Sequence, residues 1–443
     1  MTETDTHEQA TQANRAALRL ANVDAEARNG ALADIADAIR ENSEAILAAN
    51  EDDVAEAERM LAQGEYTQAL VDRLKLDEGK LESIAEMVES VADQSDPLGE
   101  TLAARELDED LELYKLSVPI GVVGTIFESR PDALVQIATL ALKSGNAVIL
   151  KGGSEASESN RVLYETILKA TPDLPDGWAT LIEAHEEVDR LLEMDDLVDL
   201  VMPRGSSEFV SYIEENTQIP VLGHTEGVCH VYVDDAADRR MAEDIALDAK
   251  VQYPAVCNAV ETLLVNESVA EEFLPGAVER YREEGVTLRG DAATRAVVDV
   301  APVTDDDWRA EYGDLELAIK VVSDVYEAVD HINENGSKHT ESIVTEDADA
   351  AETFMTGIDA ASVFHNASTR FADGYRYGLG AEVGISTGKI HARGPVGLEG
   401  LTTYKYYLEG DGQLVASYAG EDALPFTHRE FDGEWRPGHL ADE

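Results

Sequence analysis

The chain has 443 residues, 44% of them apolar, which is enough material for two or three domains with large cores rather than one small domain. Its 34 basic and 91 acidic residues leave a formal charge of −57 at pH 7. Nucleic acid and anionic lipid are thereby excluded as partners, because each phosphate contact needs a Lys or Arg.

The acids are spread along the whole chain between apolar repeats, so they read as the surface of a folded protein suited to concentrated salt, where their repulsion is screened. Residues 1–12 are polar and acidic, without the basic stretch and apolar core of an export signal. The longest apolar runs, such as 118–127, reach about ten residues, well short of the roughly 20 that span a bilayer. A cytoplasmic protein is expected. Residues 11–92 predict helices, with Leu32, Ile35, Ile39 and Ile46 recurring on one face, and 93–101 (DQSDPLGET) ends that block. Residues 111–115 alternate like an exposed strand, and 118–127 (VPIGVVGTIF) read as a buried one. Pro131 then opens a helix with the apolar stripe Leu134, Ile137, Ala138, Ala141 and Leu142, closed by Gly145, and 146–151 form a further strand. Helices near 188–194 and 209–215 alternate with strands at 197–202, 219–222 and 228–233. That alternation implies a parallel, doubly wound sheet, and a second alternation over 241–385 implies a second one. From Leu401 the run LTTYKYYLEG reads as a strand, followed by a polar, poorly patterned tail.

Two cysteines, Cys229 and Cys257, are too few for a disulfide framework or a Cys-built structural zinc site, so no metal is expected and a working thiol would work alone. Cys257 stands in QYPAVCNA, between a helix that Pro254 punctuates and an apolar strand over 259–265. A thiol at such a junction can be partly exposed, with its thiolate held by backbone N–H groups. The competing reading is a small buried hydrophobe. Cys229, inside the alternating VCHVYV, reads as core. Residues 196–207 (DLVDLVMPRGSS) make a strand, a tight turn at Gly205 and a helix, the place where an α/β fold sets a phosphate against free N–H groups. No G-x-G-x-x-G stands there, and a plain turn reads equally well. Lys151-Gly-Gly-Ser154, directly after a strand, suits a ribose or phosphate contact or an ordinary turn. The segments 366–371 (NASTRF), 378–387 (GLGAEVGIST) and 391–395 (HARGP) are dense in polar residues and Gly. With Val383 and Ile385 interleaved, they read as site-forming loops rather than solvated connections.

The segments VPIGVVGTIFESRPDA, LKSGNAVILKGGSEA, DLVMPRG, QYPAVCNAVETLLV, GSKHTESIVTEDADAAE, NASTRF, GLGAEVGIST and HARGPVGLEGLTTYKY, in this order, resemble the gamma-glutamyl phosphate reductase family of the aldehyde dehydrogenase superfamily. The resemblance runs from about residue 16 to 413. It implies an α/β, aldehyde dehydrogenase-like fold: two doubly wound α/β domains plus a small β oligomerisation ribbon. The cofactor-binding domain would take 1–108 and 118–233, and the catalytic domain, with Cys257, 234–398. The ribbon would take 109–117 and 399–415, with a C-terminal tail at 416–443. The implied activity is NADPH-dependent reduction of L-glutamyl 5-phosphate to L-glutamate 5-semialdehyde and phosphate, in proline biosynthesis. Cys257 would be the nucleophile, forming a thioacyl enzyme that NADPH reduces.

Carried over residue by residue, the resemblance gives cofactor contacts to Lys151, Ser154, Arg204 and Gly205, and a nicotinamide ribose contact to Glu311. NADPH is expected over NADH because Lys151 and Arg204 lie where a 2′-phosphate would want a cation. Candidate oxyanion or substrate groups are Ser129, Arg130, Asn258, Asn366, Arg370, His391 and Arg393, with the backbone N–H of Cys257 as the surer oxyanion donor. Arg130, Arg370 and Arg393 compete for the substrate carboxylate. Oxidising relatives carry a Glu base where this chain reads Leu222-Gly-His224-Thr-Glu226, with His224 nearest in register. Loss of that base suits a reductase, since water attack on the thioester would waste it. A homodimer or tetramer joined through the ribbon is implied, and a transient contact with glutamate 5-kinase, the source of the labile acyl phosphate. Two alternatives stay open: an NAD-dependent oxidising dehydrogenase of a small aldehyde, or a catalytically silent nucleotide-binding relative.

Overall fold

The computed structural model describes residues 3–183, 186–224 and 226–436. Its chain divides into two units: Met1–Gly205 with Ile213–Val221 and Gly397–Glu443, and Ser206–Tyr212 with Leu222–Val396. No helix among the described residues is long and apolar enough to cross a membrane.

The first unit opens with the expected helical block: α1 (Glu3–Leu20), α2 (Ala25–Glu41), α3 (Ser43–Gln63), α4 (Gln68–Leu74) and α5 (Glu78–Ala92). Leu32, Ile35 and Ile39 of α2 are buried as the spacing requires. Asp24, Thr67 and Asp77 accept first-turn N–H groups of α2, α4 and α5, each such cap being worth about 1 kcal/mol. The hairpin β1 (Thr101–Asp108) and β2 (Leu111–Pro119) follows, and then β3 (Val122–Phe127). The apolar run 118–127, expected as one strand, is therefore two. It breaks at Gly121, whose φ of +137° suits glycine, and a Cβ there would lie 2.2 Å from Asp199 Oδ2. That carboxylate accepts the Val122 N–H at 2.8 Å, so the break is built around it.

Pro131 opens α6 (Pro131–Lys143), which ends before Gly145 (φ +71°), as expected. Next come β4 (Ala147–Gly152), α7 (Ser157–Ala170), β5 (Ala179–Ile182), α8 (Glu186–Leu192), β6 (Leu200–Arg204) and α9 (Ser207–Asn216). The parallel sheet has the order β5-β4-β3-β6, doubly wound with its reversal between β3 and β6. The strand expected at 219–222 shrinks to a single parallel bridge between Val201 and Val221.

The second unit holds a seven-stranded parallel sheet in the order β10-β9-β11-β8-β7-β12-β13. Its strands are β7 (Cys229–Val233), β8 (Val260–Asn266), β9 (Thr287–Gly290), β10 (Ala301–Pro302), β11 (Glu316–Val322), β12 (Thr340–Val344) and β13 (Ser362–His365). Five helices accompany them: α10 (Arg239–Val251), α11 (Glu267–Glu283), α12 (Ala292–Val297), α13 (Val325–Asn335) and α14 (Ala348–Gly357). The expected domain boundary at 233 moves back to Leu222, because β7 lies between β8 and β12. Val231, Val233, Leu263 and Val265 pack with α10 and α11, while Tyr232 and Leu264 pack with Ile332 and Phe354. Burial on both faces explains the continuous apolar strands of this half.

After the small hairpin β14 (Gly384–Ser386) and β15 (Gly394–Val396), the chain returns to the first unit as β16 (Thr402–Gly410) and β17 (Arg429–Glu430). The expected ribbon is an antiparallel sheet in the order β16-β2-β1-β17. The tail expected to lack pattern contributes β17 and Trp435, whose ring meets Tyr407 edge-on at 4.7 Å. Residues 437–443 of that tail lie outside the described residues.

Candidate active site

In the first unit the register aligns Phe127 with both Gly152 and Arg204. The loops leaving β3, β4 and β6 therefore share the carboxyl edge of the sheet, beside the reversal where such folds take nucleotides. Ser129, Arg130, Lys151, Ser154, Arg204 and Gly205 all stand there. Ser129 (φ +49°) is tied down: its N–H and its hydroxyl both donate to Glu155 Oε1, at 2.5 and 2.8 Å. It anchors a loop rather than presenting a free hydroxyl. Arg130, just before α6, is exposed. Lys151 is buried with its ammonium donating to the Gly152 carbonyl. Burial lowers its pKa, and Glu155, Glu187, Glu128 and Glu183 oppose that shift. Arg204 reaches Gln136 Oε1 at 3.5 Å, and Ser154 and Gly205 are exposed. A buried lysine, an arginine and glycine-rich turns at one carboxyl edge fit the ribose and phosphates of a nicotinamide dinucleotide.

In the second unit the two cysteines, expected to play unlike parts, lie together. Cys257 sits half-buried on the turn between α10 and β8. Three features fix that turn. Lys250 in the last turn of α10 and Glu261 in β8 form a fully buried ion pair of 2.6 Å that ties the turn's two ends. Burial raises the Glu261 carboxyl to about 7, against the pull of Lys250. Cys229, fully buried in β7 with its thiol pKa pushed well up by burial, donates its S–H to the Cys257 carbonyl at 3.2 Å. Gly227 packs against the same peptide so closely that a Cβ there would fall 2.0 Å from Cys257 O. The N–H of Gly227 is in turn accepted by Glu311, whose carboxyl pKa burial raises.

Around the thiol stand His224, His339 and Arg370. One ligand atom each of His224, Cys257 and His339 lies within 4.8 Å of the others. His224 Nδ1 is 3.1 Å from the Ile385 carbonyl, which only accepts, so Nδ1 carries a proton. His339 is buried, with Nδ1 2.8 Å from Thr340 Oγ1, and its pKa falls to about 3 through burial and then the nearby His224. Arg370 is buried, donates Nε–H to Gln252 Oε1 at 2.9 Å, and interacts electrostatically with Cys257. Asn258 is also buried, with one amide N–H given to the Ala372 carbonyl at 2.7 Å.

Other expected site residues are placed differently. Asn366 (φ +55°) lies past β13 at the sheet's carboxyl edge, where its amide donates to Thr345 O and accepts from Thr345 N. Cys257 precedes β8, at the amino edge, so Asn366 shapes a turn away from the thiol. Arg393 belongs to the amino edge, but it donates to Asp359 Oδ1 at 2.9 Å. Lys389 and Arg393 together hold that carboxyl down at about 2. His391 is exposed with φ +71°. Of the stretch read against the missing base, Thr225 lies outside the described residues, Glu226 is exposed and His224 reaches the site. The sequence reading missed Gly227, Lys250, Glu261 and His339. Lys250 and Glu261 carried a signal, flanking the Cys257 turn as opposite charges in apolar surroundings.

Comparison with known proteins agrees with the fold. The model of the aldehyde dehydrogenase family matches residues 1–315. The gamma-glutamyl phosphate reductase of Natronomonas pharaonis is 73% identical over 439 residues, covering 99% of this chain and 100% of that protein. That of Haloquadratum walsbyi is 66% identical, covering 97% and 96%. Among solved structures, the gamma-glutamyl phosphate reductase of Thermotoga maritima superposes with a TM-score of 0.89 at 41% identity, covering 92% of this chain and 99% of that one. An acetylating aldehyde dehydrogenase from Geobacillus thermoglucosidasius, 17% identical with a TM-score of 0.64 and covering 93% and 98%, shares the fold.

Proposed function

Because the chain belongs to the aldehyde dehydrogenase family, and within it to the gamma-glutamyl phosphate reductases, we propose that it reduces L-glutamyl 5-phosphate to L-glutamate 5-semialdehyde and phosphate in proline biosynthesis. The carrying observation is Cys257: a half-buried thiol on a turn clamped by Gly227, Cys229 and the Lys250–Glu261 pair, with the Arg370 guanidinium in electrostatic reach.

The Cys257 thiolate attacks the acyl carbon, forming the C–S bond. The phosphate leaves with the electron pair of its C–O bond, and a gamma-glutamyl thioester remains. Arg370 favours the thiolate over the thiol, since a nearby cation stabilises the charged form. The backbone N–H of Cys257 is the donor we assign to the developing oxyanion, with the second amide N–H of Asn258, whose first goes to Ala372 O, as the alternative. NADPH, when bound, supplies the hydride that reduces the thioester. Lys151, Ser154, Arg204 and Gly205 would hold it, and the Lys151 and Arg204 charges would favour NADPH over NADH through the 2′-phosphate. The C–S bond then breaks toward sulfur, restoring the thiolate and freeing the semialdehyde.

The test is phosphate-dependent oxidation of the semialdehyde with NADP+ and with NAD+. Cys257→Ala should lose this activity while keeping its fold and NADPH binding, and Cys229→Ala should keep most activity and lose some stability. An active Cys257→Ala enzyme, or water-driven oxidation to glutamate without phosphate, would reject the reading. Comparable efficiency with both cofactors would reject the NADPH preference.

A further inference from the structure

We propose that His224, Cys257 and His339 form a binding site for a zinc-class divalent cation, which caps the thiol and holds the enzyme inactive until it is removed. The proposal starts from three ligands drawn from three separate stretches of chain and brought within 4.8 Å of one another. One thiolate and two imidazoles, with a fourth position left to water, is a set that zinc takes. Tetrahedral zinc, with Zn–S about 2.3 Å and Zn–N about 2.0–2.1 Å, needs its ligand atoms roughly 3.3–3.8 Å apart. The cluster is thus at most about 1.5 Å too open, a gap that rotation of the Cys257 side chain can narrow.

Two further observations point to a ligand. His339 Nε2 is buried and makes no hydrogen bond among the described residues, although a buried polar atom ordinarily finds a partner. His224 gives its Nδ1–H to the Ile385 carbonyl, so Nε2 is the nitrogen it would offer a metal. A hydrogen bond from the other ring nitrogen to a carbonyl is also the usual outer support of a metal-bound imidazole. The donor set selects its metal: soft sulfur and imidazole favour Zn2+, Cd2+ or Co2+ over Mg2+ and Ca2+, which prefer oxygen. On binding, the S–H proton goes to water and a metal–sulfur bond forms, with no oxidant or reductant involved. A chain of charge −57 also draws divalent cations to its surface.

That the cation inhibits rests on Cys257 being the nucleophile, whereas that it binds does not. The full chain is titrated with Zn2+ in molar sodium sulfate, since chloride competes for the metal, and activity is followed. Co2+ is titrated in parallel for its thiolate-to-metal charge-transfer band. The expected result is one ion per chain, loss of activity in step with occupancy, recovery with EDTA, and a thiolate band absent from Cys257→Ala. His224→Gln and His339→Gln should each weaken Zn2+ binding about tenfold or more. His224→Gln carries the test where the buried His339 variant does not fold. Absence of the thiolate band, or unchanged affinity in His224→Gln, would overturn the site. If Cys257→Ala stayed active while the wild-type band persisted, the site would stand and the nucleophile assignment would fall.

Discussion

Gly227 shows how a residue without a side chain can set the position of one that reacts. The space a Cβ would need is already occupied by the Cys257 carbonyl and Cα. Gly227→Ala should push the Cys257 turn outward, and a misplacement of about 1 Å costs on the order of 100-fold in rate. We expect kcat/KM to fall by about that factor while NADPH binding, measured by fluorescence, is kept. Near-normal kcat/KM would show the turn to be slack. His331 illustrates a different constraint. Lys320 Nζ lies 3.1 Å from its Nδ1, and an ammonium has only protons to give, so the buried ring accepts and stays neutral. Its pKa falls from 6.5 to about 3, chiefly through burial and then through His230 and Lys320. The unfolded ring takes a proton below pH 6.5 and the folded ring refuses it until about 3. This residue's stabilisation is therefore full above pH 6.5 and shrinks as pH falls, by up to about 1.4 kcal/mol per unit. The stability gap between wild type and His331→Gln should narrow by about 1 kcal/mol between pH 7.5 and 5.5, read from urea midpoints in molar salt. A gap that is constant with pH would contradict the neutral ring.

At the scale of elements, the two parallel sheets use opposite edges. The first presents its candidate cofactor residues at the carboxyl edge, as the usual rule for such folds anticipates. The second holds its thiol at the amino edge, on the turn before β8, while at its carboxyl edge Asp234 and Asn366 each bond Thr345. This explains what was legible in the sequence. Periodicity and punctuation located the helical block, α6 between Pro131 and Gly145, and the strand before each loop, because those signals are local. Cys257 was legible because the segment around it is distinctive. His339 and Gly227 were not, since their meaning depends on β7, β8 and β12 lying side by side, which no local pattern encodes. Asn366 was misplaced for the converse reason: a polar, Gly-rich neighbourhood marks a turn as readily as a site. The ribbon adds a prediction of its own. β16 is the longer of its two edge strands among the described residues, with Tyr404, Tyr406 and Leu408 exposed, and an edge of this length invites pairing. We expect a homodimer or a dimer of dimers that closes this edge, and Tyr404→Glu with Tyr406→Glu should shift it toward the monomer. Light scattering that shows an active wild-type species of 48.0 kDa would refute this.

Over the whole molecule, the net charge of −57 sits on a core whose strands are buried on both faces. The core favours the compact state at any ionic strength, while the surface repulsion opposes it only where it is unscreened. The Debye length shrinks from about 30 Å at 0.01 M salt to about 3 Å at 1 M. Stability and activity should therefore rise steeply into the molar range of KCl, and full activity at low ionic strength would contradict the account. The order of the chain has a consequence in time as well. β2 ends at Pro119, but its neighbour β16 begins only at Thr402, after the entire second unit has been made. At roughly 5–20 residues per second, a nascent chain carries the β1–β2 hairpin without its third strand for on the order of fifteen seconds to a minute. During that interval the hairpin is a sticky end on a growing polypeptide. Charged residues along it, Arg105, Glu106, Glu112 and Lys115 among them, blunt that exposed edge until the strand that completes the ribbon has emerged.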